Sequence, residues 1–370
     1  RADLVACSGF AMRSILRSLG RLAPVLLFAC EGPVDRPPPP EHDGIYGFAN
    51  GCYALDATAP GSDDTRWLEA TEDGAGFAFT ARTVEAGARF FLEPADLGTY
   101  LLYDAEGFYL VAENRAAGDG GAGDEGDEAW ALIRRAELSS DVLLVDDSFV
   151  SPAEWDLEES ASDPARFQLR HRRSGRYLAR EGLVADEADA GVIALYPTEG
   201  CREHPELTLD AEGTVAPRAF DDGSVFGIAD THSHLFTNFG FGGGGIFHGS
   251  PFHRLGVEHA LPECTPFHGR QGRADLFCYG FDQGRDFDTD ALLAGAVTGR
   301  TPEFNHHTEG YPEFTEWPSA HFSSTHQTQY YRWLQRAYLG GLRLVVQHAT
   351  SNQVICDFLV GEGIQPVRYS

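Results

Sequence analysis

Asp230-Thr231-His232-Ser233-His234 is the stretch of this chain whose residue types and spacing can do chemistry. Along an extended strand side chains alternate in direction, so two imidazoles separated by one residue project to the same side and can grip one metal ion. The expected cofactor is a divalent metal of the zinc class, and the expected chemistry is hydrolysis by metal-activated water. Asp230 stands two residues ahead of His232, placed to orient a ligating imidazole, and is the candidate catalytic residue of the set. The bland alternative is a pair of surface histidines beside a glycine loop.

Histidine usage changes at this point in the chain. Of the 14 histidines, His42, His171 and His204 precede Asp230, and the other eleven lie between His232 and His348. His248, His253, His259 and His268 fall in a long segment rich in Gly, Pro and Phe, and His306-His307 with Glu309 in another. Long irregular segments inside a compact domain are usually functional, so His248 and His306 are candidate pocket residues, and His348, at the end of an apolar run, is a third. The run Phe239-Gly240-Phe241-Gly242-Gly243-Gly244-Gly245 can cross an open cavity or move as a lid. It lacks the Gly-Lys-Ser ending of a nucleotide loop, which excludes that reading.

These residues need elements to position them. Val225-Phe226-Gly227-Ile228-Ala229 reads as a buried strand that delivers the histidine pair at its carboxyl end. Ser323-Ser324-Thr325 offers an N-cap for a helix over His326 to Tyr338, with Tyr330, Trp333, Leu334 and Ala337 on its buried face and Gly340-Gly341 ending it. Leu342-Arg343-Leu344-Val345-Val346-Gln347-His348 follows as a parallel-sheet strand that ends in a histidine. Strand, insertion, helix and strand make one right-handed βαβ step. Asn352 to Gly361 reads as the next helix, and Gln365 to Tyr369 as the start of a third strand.

Asp-x-His-x-His after an apolar strand resembles the opening of the metal-dependent amidohydrolase superfamily, nearest to its membrane-dipeptidase branch. That resemblance implies an α/β (TIM-type) barrel, with His232 and His234 as first-strand metal ligands, Asp230 beside them, and a small peptide or amide substrate. The dipeptidase branch usually carries aspartate where this chain has His234. A complete barrel takes about 250 residues, so residues 221–370 are expected to be only its front part, and the later-strand ligands have no counterpart here.

Residues 44–220 read differently. Arg89-Phe90-Phe91-Leu92 then Gly98-Thr99-Tyr100-Leu101 recurs as Arg166-Phe167-Gln168-Leu169 then Gly175-Arg176-Tyr177-Leu178, in the same register. Gly51-Cys52-Tyr53-Ala54 and Gly107-Phe108-Tyr109-Leu110 repeat the second half, and Phe77 to Phe79, Trp130 to Leu132 and Ile193 to Leu195 add comparable strands. Short alternating runs between glycine turns predict an all-β repeat barrel. Phe-x-Leu, a turn, then Gly-x-Tyr-Leu resembles the unit of β-trefoil modules of the fascin and ricin-lectin kind. The resemblance implies that Tyr53, Tyr100, Tyr109 and Tyr177 pack in the barrel and that binding of a glycan or protein ligand falls to exposed loops. The polar run Ala117 to Glu128 reads as an inserted disordered loop.

The expectation is therefore multidomain: an all-β (β-trefoil-like) domain followed by a partial α/β barrel. A formal charge of −28 disfavours polyanions, so no nucleic-acid partner is expected. Arg13, Arg17 and Arg21 ahead of Leu22 to Ala29 resemble a short export signal, and Leu27-Phe28-Ala29-Cys30 a bacterial lipobox. Residues 1–30 thus read as an extension and export signal, 31–43 as a proline-rich linker, and any membrane contact as a lipid anchor at Cys30. Export permits disulfides, and Cys52 with Cys201, and Cys264 with Cys278, are the expected pairs. The competing function is an exported surface binding module in which the histidine-rich region is structural. A serine hydrolase is excluded because the chain has no Gly-x-Ser-x-Gly elbow.

Overall fold

The computed structural model describes residues 42–59, 64–114, 130–138, 150–163, 165–215, 218, 220–236, 238, 249–262, 265, 270, 289–298 and 330–349. Outside them lie the expected signal and Cys30, the acidic run 117–128, the glycine loop 239–245, His248, His306, the Cys264–Cys278 pair, and the elements expected after Ser351.

Twelve antiparallel strands make up the first part of the fold. They are β1 (Cys52–Thr58), β2 (Thr65–Ala70), β3 (Phe77–Ala81), β4 (Arg89–Asp96), β5 (Thr99–Asp104), β6 (Tyr109–Asn114), β7 (Trp130–Arg135), β8 (Glu154–Glu159), β9 (Phe167–His171), β10 (Tyr177–Ala179), β11 (Gly182–Val184) and β12 (Val192–Pro197). Their pairing closes on itself. β1 pairs β4, β4 pairs β5, β5 pairs β8, β8 pairs β9, β9 pairs β12, and β12 returns to β1. The remaining six strands form three hairpins, β2–β3, β6–β7 and β10–β11. A six-stranded barrel with one hairpin per four-strand unit is a β-trefoil, and closure leaves its barrel strands without open edges.

Side-chain alternation fills the barrel. Leu55, Leu68, Phe90, Leu92, Tyr100, Leu102, Trp155, Phe167, Leu169, Leu178 and Leu195 belong to one buried cluster. Leu101, next to Tyr100, points the other way into a second cluster with Ala95, Tyr103, Tyr109 and Val111. Two of the large buried side chains place their polar atoms on backbone carbonyls: Trp155 Nε1 donates to Leu110 at 2.9 Å, and the Tyr100 hydroxyl to Ile45 at 2.6 Å. Between β4 and β5 the chain reverses at Leu97-Gly98, where Gly98 takes φ +75°, a left-handed conformation that favours glycine. The Cys52–Cys201 disulfide forms, with Cα atoms 5.7 Å apart, and ties the start of β1 to the irregular segment just past β12.

The repeated motif is out of phase with the threefold architecture. Its copies at Gly51 and Gly98 lead into β1 and β5, both first strands of a unit, whereas those at Gly107 and Gly175 lead into β6 and β10, both second strands. A glycine turn followed by an aromatic and an aliphatic residue suits either place, so the match reports strand character rather than position. Burial also departs from expectation: Tyr100 and Tyr109 are buried, but Tyr53 and Tyr177 are only half-buried.

The chain beyond the trefoil contributes β13 (Ile228–Ser233), a short helix α1 (Val257–Ala260), α2 (Thr289–Thr298), α3 (Tyr331–Leu339) and β14 (Leu342–Gln347). β13 and β14 run parallel, as the βαβ reading expects. Three details differ. The strand begins at Ile228 rather than Val225 and is exposed along nearly its whole length rather than buried. Helix α3 begins at Tyr331, and of the expected buried face Tyr330 and Trp333 are buried, Leu334 is half-buried and Ala337 exposed. Helix α2 falls in a stretch whose spacing marks no buried face, and its Leu293 and Val297 are exposed.

The segment 249–262 is seated on the trefoil. Leu255 enters the cluster of Tyr103, Tyr109 and Val111, while Val257, Ala260 and Leu261 pack with Leu207, Tyr330 and Trp333. No helix among the described residues is long and apolar enough to cross a membrane.

Candidate metal-binding site

β13 and β14 bring the histidines together. The parallel register pairs Ile228 with Leu342 and Ser233 with Gln347, so the carboxyl ends of the strands lie side by side. His232 and His234, two residues apart, fall on one side, with their Nε2 atoms 3.0 Å apart. His348, just past β14, stacks on His232 with ring centroids 4.4 Å apart and planes inclined by 20°. All three histidines are exposed.

Hydrogen bonds to carbonyls fix the direction of two rings. A carbonyl only accepts, so His234 Nδ1, 2.9 Å from the His348 carbonyl oxygen, carries the proton and leaves a lone pair on Nε2. His348 Nε2 faces the Thr231 carbonyl oxygen at 3.3 Å and the backbone N–H of His348 donates to the Ser233 carbonyl at 2.8 Å. Gln347 Oε1 accepts the N–H of Leu235 at 2.5 Å, pinning the turn that follows His234. Asp230 is occupied with the backbone: its Oδ1 accepts the His232 N–H at 3.1 Å. That bond holds the peptide ahead of the histidine.

The spacing of the two Nε2 atoms is compatible with two ligands of one cation. Two nitrogens bound to zinc at about 2.0–2.1 Å in tetrahedral geometry stand about 3.3–3.4 Å apart, close to the 3.0 Å between the two Nε2 atoms. Without a cation, a proton on His232 Nε2 shared with the lone pair of His234 accounts for the same approach. Among the described residues, no group of three or more histidine, cysteine or carboxylate side chains is arranged to hold a metal. Of the sequence candidates, the fold unites His232, His234 and His348 and keeps Asp230 adjacent, while His248 and His306 lie outside the described residues. Thr231 and Gln347, whose carbonyl and amide anchor the site, carry no signal in the sequence because their roles arise only when β13 and β14 pair.

No family model matches this chain, and no curated protein matches it. Solved structures do. The structure of SeviL bound to asialo-GM1 saccharide matches at 13% identity over 41% of this chain and 100% of that one, with a TM-score of 0.28. ThreeFoil, a designed threefold-symmetric protein, matches at 20% identity over 40% of this chain and 91% of its own, with a TM-score of 0.24. The BEL β-trefoil matches at 11% identity over 40% and 94%, with a TM-score of 0.27. The trefoil assignment stands on the closed ring of strand pairings.

Proposed function

We propose that this chain is an exported binding protein whose β-trefoil recognises a saccharide through its exposed loops. The observation that carries the reading is the closed barrel with three hairpins, which holds loops on a rigid frame, the arrangement suited to recognition. The likeness of the Gly-x-Tyr-Leu unit to lectin modules supports saccharide as the ligand class. The Cys52–Cys201 disulfide and the basic-then-apolar run from Arg13 to Ala29 support an oxidising location. Screening the full chain against an immobilised glycan panel, with hydrogen exchange of the bound form, tests it. Binding with protection confined to trefoil loops is expected; absence of binding across a broad panel overturns it.

The paired Nε2 atoms favour a second reading, a metal-dependent hydrolase of peptide, amide or ester bonds built on an α/β barrel. In it His232 and His234 hold a zinc-class cation, which supplies an activated water and polarises a carbonyl. Here His348 braces both ligands, through its ring against His232 and its carbonyl on His234. Titration with zinc alone, followed calorimetrically beside His232→Ala and His234→Ala, separates the readings. Stoichiometric binding lost in either variant supports the metal site, and equal weak binding by all three chains removes it.

A further inference from the structure

We propose that residues 249–262 form a proton-sensitive latch, held on the trefoil by three neutral imidazoles and released when they take up protons. The segment is closed by the Ser250 N–H donating to the Ala260 carbonyl at 2.7 Å, and Leu255 is its apolar anchor in the trefoil cluster. The anchor depends on an unprotonated ring. His253 Nδ1 accepts the backbone N–H of Leu255 at 3.1 Å, and an imidazolium, which only donates, cannot. His253 also stacks on His259 at 5.4 Å with planes 19° apart, so two charges there would repel. Beneath the segment lies His204, whose Nε2 meets the Tyr109 hydroxyl at 2.8 Å and whose buried Nδ1 has no hydrogen-bond partner. Gly256 rests so closely on this ring that a Cβ there would lie 2.6 Å from His204 Cε1.

Every group facing these rings bears on the sign. Burial lowers His204 and His253 to about 4, with the Pro205 backbone opposing this at His204, His259 adding to both and Arg254 to His253, and burial lowers His259 as well. Each therefore favours docking above the ordinary histidine range, and that contribution is lost as pH falls through the folded value. Two carboxyls act the other way. Burial and the neighbouring Glu206 push Glu93, 4.0 Å from His204 Nδ1, up to about 7, so at mildly acid pH this contact is between neutral groups and not an ion pair. Burial also raises Glu154, which pairs with Arg254 at 3.2 Å. Asp96, the second partner of Arg254, is lowered and adds to the histidines. Glu258 and Arg202 face Tyr109, and Arg332 faces Glu93. Protonation removes the acceptor that holds the Leu255 N–H and sets two charges against each other in the His253–His259 stack, so acid opens the latch and uncovers the face formed by Leu101, Tyr103, Tyr109 and Val111.

Hydrogen exchange of the full chain between about pH 8 and pH 4, corrected for intrinsic rates, tests this. Amides of 255–261 are expected to lose protection about tenfold more than those of β9 and β12 as pH falls through the histidine range. In a His253→Asn, His259→Phe double variant, which keeps an acceptor and a flat ring but titrates neither, that loss should move down by about half a pH unit or more. Leu255→Ala should weaken protection of the segment at every pH and mark the released state. Protection that is flat with pH in the parent chain, or an acid transition that the double variant leaves in place, overturns the proposal. Should the double variant fail to fold, the profile of the parent chain against its own barrel strands decides.

Discussion

Arg166 and Asp56 meet across 110 positions of sequence, Nη1 to Oδ1 at 3.0 Å, both almost wholly buried. The carboxylate is fully engaged: it also accepts the Ala194 N–H at 2.9 Å and the Tyr196 hydroxyl at 3.2 Å, while Arg166 donates onward to the Val192 carbonyl at 3.2 Å. One carboxyl thus pins β1, β12 and the entry to β9. Asp56→Ala leaves the buried guanidinium only the more exposed Asp163, 3.4 Å from its Nε, and should cost about 3–5 kcal/mol in urea unfolding. Pairing it with Arg166→Met should recover part of that loss, because the uncompensated charge goes too.

The Cys52–Cys201 bridge spans 149 positions and encloses nearly the whole trefoil. Cross-linking over such a loop restricts the unfolded chain strongly, so Cys52→Ser with Cys201→Ser should lower stability by about 2–5 kcal/mol. Chemical denaturation of the oxidised parent beside the double variant measures this, and added reductant should bring the parent to the variant's midpoint.

Glu93 should make stability fall with rising pH. Its folded value of about 7 lies above its ordinary 4.5, so its contribution is complete below about pH 4.5 and lost as pH rises through about 7. Glu93→Gln removes this titration. The stability difference between parent and variant should therefore change by up to about 3 kcal/mol from pH 4 to pH 8, in the variant's favour at the alkaline end. Paired thermal melts at the two pH values read the sign directly.

Gly256 combines φ +93° with contact against His204, so alanine there meets both backbone strain and a steric clash. Gly256→Ala should cost about 1–3 kcal/mol, concentrated in 249–262. Limited proteolysis should then cut that segment before the barrel.

Amino-acid pattern alone determined the local character of this protein. Glycine turns between short alternating runs marked β3, β4, β5, β9 and β12, and two cysteines at opposite ends of that region suggested their own bridge. His232 and His234 were legible as a pair because strand alternation acts over two residues. Contacts between distant residues belong to the tertiary structure. Closure of β12 onto β1, the phase of the motif within the trefoil, and the burial of Asp56 with Arg166 all depend on which strands pair across the chain. Apolar runs at Ile228 and Leu344 read as buried, yet burial is a property of neighbours, and in the folded chain both are exposed. His253, His259 and His204 became a cluster only when the segment beyond the trefoil folded back onto it, since no local period relates residues so far apart in sequence.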